Sequence, residues 1–310
     1  MSKIISEIRK SYFLNKYVII TPSRARRPRD IHEKTMVERT KPCVFCPENV
    51  EKDILVKQYG GKGDAWDVLV LKNKYPAVTL NNKLAYGTQE VIVETPTHGI
   101  ELGELSLKQI EKMLRVYAER TEAISKIKNI EYILIFKNNG SKAGASILHT
   151  HSQIFATDIL PPDVYEELKL AKEYKLKNRT CAYCDIIKRE IKGPRKIYAD
   201  KYITAFTPYA SEFHYESWIF TKRHLDNITR LNAAEFKSFA KVLRGILLKL
   251  HLLDLSYNFF MHQIISDNDQ HFYLKIQPRD SMWAGIELGS GIVINSVSPE
   301  EAAAYYRKNL

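Results

Sequence analysis

Residues 138–154 read NNGSKAGASILHTHSQI. His149, His151 and Gln153 stand at alternate positions, and in an extended strand alternate side chains point to one face. Gly140, Ala143, Gly144, Ala145 and Ser146 precede them with little bulk, which lets backbone N–H groups approach an anion closely. A surface strand carrying two incidental histidines would show the same letters, so the rest of the chain has to decide.

The four cysteines form two C-x-x-C pairs, Cys43 with Cys46 and Cys181 with Cys184. Such pairs suit metal ligation or a redox dithiol in a reducing compartment better than structural disulfides. A zinc ribbon would space its pairs by roughly 15–20 residues, and these lie much further apart, so each pair needs other ligands close in space. Those ligands emerge when the two halves are aligned. EVIVETPTHG is an apolar strand ending near His98, and ESWIFTKRH is one ending near His224. Each is followed by a helix start with a capping-box pattern, Ser106 with Gln109 and Asn232 with Glu235. Apolar residues then recur at helical spacing, through Ile110, Leu114, Tyr117 and Ile124 in one half and Phe236, Phe239, Leu243 and Ile246 in the other, as core stripes do. A further apolar strand leads in each half to one more histidine, His149 or His271.

The order Cys, Cys, His, His thus occurs twice in matching context. Two thiolates and two imidazoles make a tetrahedral set suited to Zn²⁺, and four protein ligands leave no open position, so both sites are expected to be structural. The expected fold is α+β, with two halves, each an antiparallel half-barrel sheet with packed helices. PPDVYEELKLAKEYKLKNRT reads as a charged helical connector, which puts the boundary near residue 165: residues 1–165 carry the first metal set and 166–310 the second.

If a metal takes His149, His151 is left beside a rigid centre, where a neutral imidazole attacks phosphorus without a separate base. The small-residue loop and the Ser146 hydroxyl can meet nonbridging oxygens, and Gln153 adds a neutral donor. No counterpart exists in the second half, where Phe272 and Tyr273 follow His271.

These residues resemble the histidine-triad superfamily and, within it, the galactose-1-phosphate uridylyltransferase branch. The resemblance runs from SRARRP near residue 23 to the C-terminal GIELGSGIVINSVSPEEAAAYYR, with GASILHTHSQI similar to the active-site motif H-x-H-x-Q. It implies that His151 becomes nucleotidylated, that Gln153, Ser146 and Asn138 lie along the phosphates, that Arg24 and Arg27 lie near the nucleotide, and that Glu287 contacts the sugar. It implies zinc on Cys43, Cys46, His98 and His149, and a homodimer. Bacterial members carry an H-x-H pair where Lys275 and Gln277 stand here, and a sugar-contacting lysine where Ser281 stands. The set Cys181, Cys184, His224, His271 instead resembles a subgroup that includes a plant ADP-glucose phosphorylase.

The expected activity is exchange of a nucleoside monophosphate between a nucleotide sugar and a hexose 1-phosphate, as in UDP-glucose:hexose-1-phosphate uridylyltransferases. The alternative is an ADP-glucose phosphorylase with inorganic phosphate as acceptor, followed by a dinucleotide hydrolase. A zinc-dependent nucleic-acid module is the competing non-enzymatic class. The formal charge of +11 admits it, but the basic residues do not cluster with aromatics in a recognisable pattern, so no nucleic-acid partner is expected. No long uncharged apolar run and no signal-peptide core are present, so a cytoplasmic enzyme without a membrane partner is expected.

Overall fold

The computed structural model describes residues 6–26, 42–61, 63, 65–265, 267 and 269–308. In chain order the first half contains strands β1 (Glu7–Lys10), β2 (Tyr17–Ile20), β3 (Leu55–Gly60), β4 (Trp66–Lys72) and β5 (Gly87–Val93), helix α1 (Leu107–Ser125), and strands β6 (Tyr132–Asn139) and β7 (His151–Thr157). Helices α2 (Pro162–Asn178) and α3 (Ala182–Glu190) follow. The second half continues with β8 (Lys196–Ala199), β9 (Ile203–Phe206), β10 (Ser217–Thr221), α4 (Ala233–Leu252), β11 (Tyr257–His262), β12 (Tyr273–Pro278), α5 (Gly285–Ser290), β13 (Val293–Asn295) and α6 (Pro299–Arg307).

Ten strands form one sheet in the order β3-β4-β5-β7-β6-β11-β12-β10-β9-β8, and β1, β2 and β13 form a separate small sheet. The large sheet is the same five-strand pattern twice, joined edge to edge where β6 pairs antiparallel with β11, Phe136 opposite Phe260 and Asn138 opposite Asn258. The expected sequence repeat is therefore a repeat of topology. Residue 165 falls inside α2, whose Ala171 packs with Tyr183, Phe206, Trp218 and Phe220.

One face of the sheet carries both long helices. Ile92, Ile133, Ile135 and Ile154 from the first half share a buried core with Ile219, Phe259, Leu274 and Ile276 from the second, beneath Ile110 and Leu114 of α1 and Phe239 and Leu243 of α4. The two helix starts differ. Asn232 and Glu235 make the full reciprocal capping box. At α1, Ser106 accepts from the Gln109 N–H, but the Gln109 amide donates to the Asp67 and Glu94 carbonyls at 2.7 Å each. It pins the helix to the ends of β4 and β5 instead of closing the box, and supplies a donor to a backbone carbonyl of each.

Candidate active site and metal centres

The opposite face of the sheet carries the polar residues singled out above. His149 is the last residue but one of the loop before β7, which begins at His151. His151 and Gln153 share the face away from α1, opposite Val93 and Val91 of β5.

The ligand atoms of Cys43, Cys46, His98 and His149 all lie within 4.8 Å of one another, and so do those of Cys181, Cys184, His224 and His271. Cys46 Sγ is 3.4 Å from His98 Nδ1 and 3.8 Å from His149 Nδ1, and Cys43 Sγ is 3.7 Å from His149 Nδ1. In the second set Cys184 Sγ is 3.6 Å from both His224 Nδ1 and His271 Nδ1. Metal bonds of about 2.3 Å to sulfur and 2.0–2.1 Å to nitrogen at the tetrahedral angle place S and N about 3.6 Å apart. The donor sets therefore fit a tetrahedral ion.

Tautomers agree with this. His149 Nε2 lies 2.7 Å from the Thr95 carbonyl and His271 Nε2 lies 2.8 Å from the Thr221 carbonyl. A carbonyl only accepts, so each Nε2 carries the proton and each Nδ1 presents its lone pair to the cysteines, the outer-shell arrangement usual for metal-bound imidazoles. Thr95 and Thr221 each stand three residues before the other histidine of their set, in TPTH and TKRH. In the second set the contact between the thiols holds Cys181 well below the usual range and pushes Cys184 up. The pair shares one proton in this arrangement, and a cation between the two sulfurs would let both carry charge.

His151 is poised differently. Its Nδ1–H donates to the His149 carbonyl at 2.8 Å, which leaves Nε2 with the lone pair. Burial, followed by the Lys137 cation, pushes its pKa below the ordinary histidine value, so the ring is neutral at pH 7. Phe45, between the cysteines of the first pair, packs its ring 5.1 Å from the His151 ring. Gln153 Oε1 accepts from Asn73 Nδ2 at 3.4 Å. Asn138 on β6 accepts from Asn258 Nδ2 at 2.8 Å, and that same amide reaches the Ala143 carbonyl at 2.8 Å, so one side chain of the second half ties the glycine-containing loop to the strand. Gly140 has φ +81°, and a Cβ there would stand 2.2 Å from Ser256 Oγ; only glycine lets the loop turn so close to β11. Ser146 is exposed on the segment between Gly144 and His149.

Behind His151, on the helix side, lies a network that the motif did not reveal. Lys137 and Glu94 are 1 % and 0 % exposed and pair at 2.8 Å. The Lys137 ammonium also donates to Thr150 Oγ1 and to the His151 carbonyl, Thr150 and Tyr117 donate to Glu94, and Tyr117 lies 2.6 Å from Ser152 Oγ. Three consecutive residues, Thr150, His151 and Ser152, are thereby held from behind. Tyr117, expected only as core, belongs to this network.

Of the residues expected near the substrate, Arg24 is exposed, and Glu287 accepts the Ala284 N–H at 2.9 Å; burial raises the Glu287 pKa, but this and other backbone hydrogen bonds outweigh it and hold the carboxyl below its ordinary value, with the Arg24 charge a smaller contribution. Arg27 lies outside the described residues. In the second half Tyr273 and Lys275 occupy the strand positions that His151 and Gln153 hold in the first. Glu167 of α2 sits over them, accepting from the Tyr273 hydroxyl at 3.1 Å and pairing with Lys275 at 3.5 Å. The corresponding pocket is filled.

Residues 1–161 match the family model for the N-terminal domain of galactose-1-phosphate uridyl transferase. An ADP-glucose phosphorylase from Arabidopsis thaliana is 29 % identical, with 97 % of this chain and 92 % of the relative aligned. A galactose-1-phosphate uridylyltransferase from Thermotoga maritima is also 29 % identical, over 97 % and 98 %. The crystal structure of an A. thaliana ADP-glucose phosphorylase with bound ADP-glucose superimposes with a TM-score of 0.87 at 28 % identity, covering 99 % of this chain and all of that one. No described helix is long and apolar enough to cross a membrane.

Proposed function

The chain belongs to the galactose-1-phosphate uridylyltransferase family, and from that premise we propose that it transfers a nucleoside monophosphate from a nucleotide sugar to a hexose 1-phosphate through a covalent intermediate on His151 Nε2. The observation that carries this is the Nδ1–H bond from His151 to the His149 carbonyl. It leaves the outer nitrogen unprotonated on a ring whose basicity is lowered by burial.

Nε2 attacks the α-phosphorus, forming the N–P bond as the P–O bond to the β-phosphate breaks, and hexose 1-phosphate departs with the bonding pair. A phosphate leaving group with a second pKa near 6 needs little help from a general acid. The positive charge that forms on the imidazole is shared through Nδ1–H with the His149 carbonyl. An oxygen of the acceptor phosphate then attacks the same phosphorus and returns the neutral imidazole. Ser146, Gln153, Asn138 and backbone N–H groups of the small-residue loop are assigned to the phosphates, Arg24 and Arg27 to the nucleotide and Glu287 to the sugar. Zinc is the ion proposed for both Cys₂His₂ sets; bound there it cross-links loop and sheet and has no open position for chemistry.

A cytoplasmic location and a homodimer complete the proposal. Incubating the chain with labelled nucleotide sugar and no acceptor should place one acid-labile nucleoside monophosphate on a histidine, and His151→Ala should take none. Label retained in that variant, or intersecting initial-rate lines with no covalent species, overturns the assignment.

A second proposal, phosphorolysis of ADP-glucose, is favoured by the complete second Cys₂His₂ set and by equal identity to the plant phosphorylase. Parallel labelling with UDP-glucose and ADP-glucose, chased by galactose 1-phosphate or inorganic phosphate, separates the two. Label from ADP-glucose only, discharged by phosphate only, assigns the phosphorylase and leaves the chemistry at His151 intact.

A further inference from the structure

After β12 the chain leaves the large sheet, runs through α5 and joins the small sheet as β13 beside β2. A single imidazole holds both ends of this excursion. His214, 7 % exposed, lies with Nδ1 2.5 Å from Asp280 Oδ2 at the start, while at the end its Nε2 is 3.2 Å from the Ser296 backbone N and 2.9 Å from the Ser296 hydroxyl. A backbone N–H only donates, so Nε2 accepts and Nδ1–H donates to Asp280. The neighbouring residues grip the same excursion. Phe213 stacks on Trp283 at 5.7 Å and 15°, and Asn295 Nδ2 donates to the Ser211 and Phe213 carbonyls.

A bonded series Ser296, His214, Asp280 has the order of a hydrolytic triad. Its chemistry differs, because the Nε2 lone pair that would act as base already receives the Ser296 backbone N–H. The bonding is that of a clamp. The other oxygen of the same carboxylate, Asp280 Oδ1, has no hydrogen-bond partner among the described residues, so His214 is what holds this side chain.

We propose that His214 is a positioning residue for the sugar end of the site: by clamping Asp280 and Ser296 it fixes residues 281–295, and with them Glu287, so that a hexose 1-phosphate is accepted in one orientation. This rests on the assignment of Glu287 to the sugar made above. Misplacement of a binding group by an ångström costs up to about a hundredfold in rate, so loss of the clamp acts on the acceptor step.

The test uses Asp280→Ala, which removes the partly exposed end of the clamp, and His214→Gln, which can still donate and accept at the two ends. In Asp280→Ala the KM for hexose 1-phosphate in discharging nucleotidyl-labelled enzyme should rise about tenfold or more, while loss of label to water without acceptor stays within about twofold. His214→Gln should recover most of the wild-type KM. Acrylamide quenching adds a readout independent of the reaction, because Trp66 and Trp218 are buried and Trp283 is the exposed one of the three tryptophans; quenching should increase in Asp280→Ala. An unchanged KM, or equal changes in acceptor-driven and water-driven discharge, overturns the inference. Wild-type enzyme that takes no label from any nucleotide sugar overturns the proposed function instead, and the quenching measurement then decides alone whether His214 holds the excursion.

Discussion

At the level of single residues the site divides into what alternation reveals and what cross-strand register reveals. The H-x-H-x-Q pattern, the cysteine pairs and their histidines announce themselves by residue type and spacing. Lys137 does not, because a lysine in YILIFKNN is equally consistent with a strand end reaching solvent. Only the pairing of β7 with both β6 and β5 brings Lys137, Glu94, Thr150 and the His151 carbonyl to one point. A charge paired at 1 % exposure is also a strong statement about mutation: removing one partner leaves the other buried and uncompensated, which costs about 3–5 kcal/mol, whereas replacing both with groups of similar volume costs much less. Lys137→Met should therefore lower stability in urea melts by that amount, and Lys137→Met with Glu94→Gln by clearly less. Equal losses in the single and double variants would mean that the pair contributes through shape alone.

At the level of elements, helix stripes and capping residues located α1 and α4, since both start at the expected Ser106 and Asn232. The partner of Gln109 was not legible, because it depends on two carbonyls supplied from other strands. The difference has a measurable consequence. Asn232 accepts from the N–H groups of Ala234 and Glu235, while Ser106 accepts from Gln109 alone. Replacing an N-cap by alanine costs about 0.5–2 kcal/mol, so Asn232→Ala should fall at the upper end of that interval and Ser106→Ala at the lower, measured as shifts in urea midpoint. The two proposed metal sets belong to this scale too, since the first joins the Cys43–Cys46 turn, and the second the first turn of α3, to the ends of sheet strands. Elemental analysis should find about two zinc ions per chain, and Cys43→Ser should lower thermal stability, because metal binding is coupled directly to folding. A fully folded, metal-free preparation would refute both centres, and one zinc per chain would refute the second.

Across the whole molecule the two halves are one sheet, and that changes what the edges can do. Two separate half-barrels would leave inner edges open to a partner, but here β6 and β11 cover each other. Of the outer edges, β3 is broken by register shifts against β4, and Arg307 of α6 donates to the Pro194 carbonyl just before β8 and to that of Lys196, its first residue; both are features that discourage strand addition. The proposed homodimer would instead use the apolar side chains left exposed around α5, Met282, Ile286 and Leu288, and light scattering at micromolar concentration should give twice the chain mass, with Leu288→Asp shifting it toward one. Continuity of the sheet leads further. Isoleucines of β5, β6 and β7 share their core with residues of β10, β11 and β12, and the Arg115 guanidinium of α1 lies 4.7 Å from the Phe236 ring centre of α4. Because the largest core is shared between them and only smaller clusters belong to one half alone, the halves should unfold together in one transition. Cys181→Ser, which disables only the second metal set, should then lower the midpoint for nucleotide labelling of His151 and the midpoint for tryptophan fluorescence by the same amount. If labelling of His151 instead survives to the wild-type midpoint while fluorescence reports an earlier loss of the second half, the halves are separate folding units.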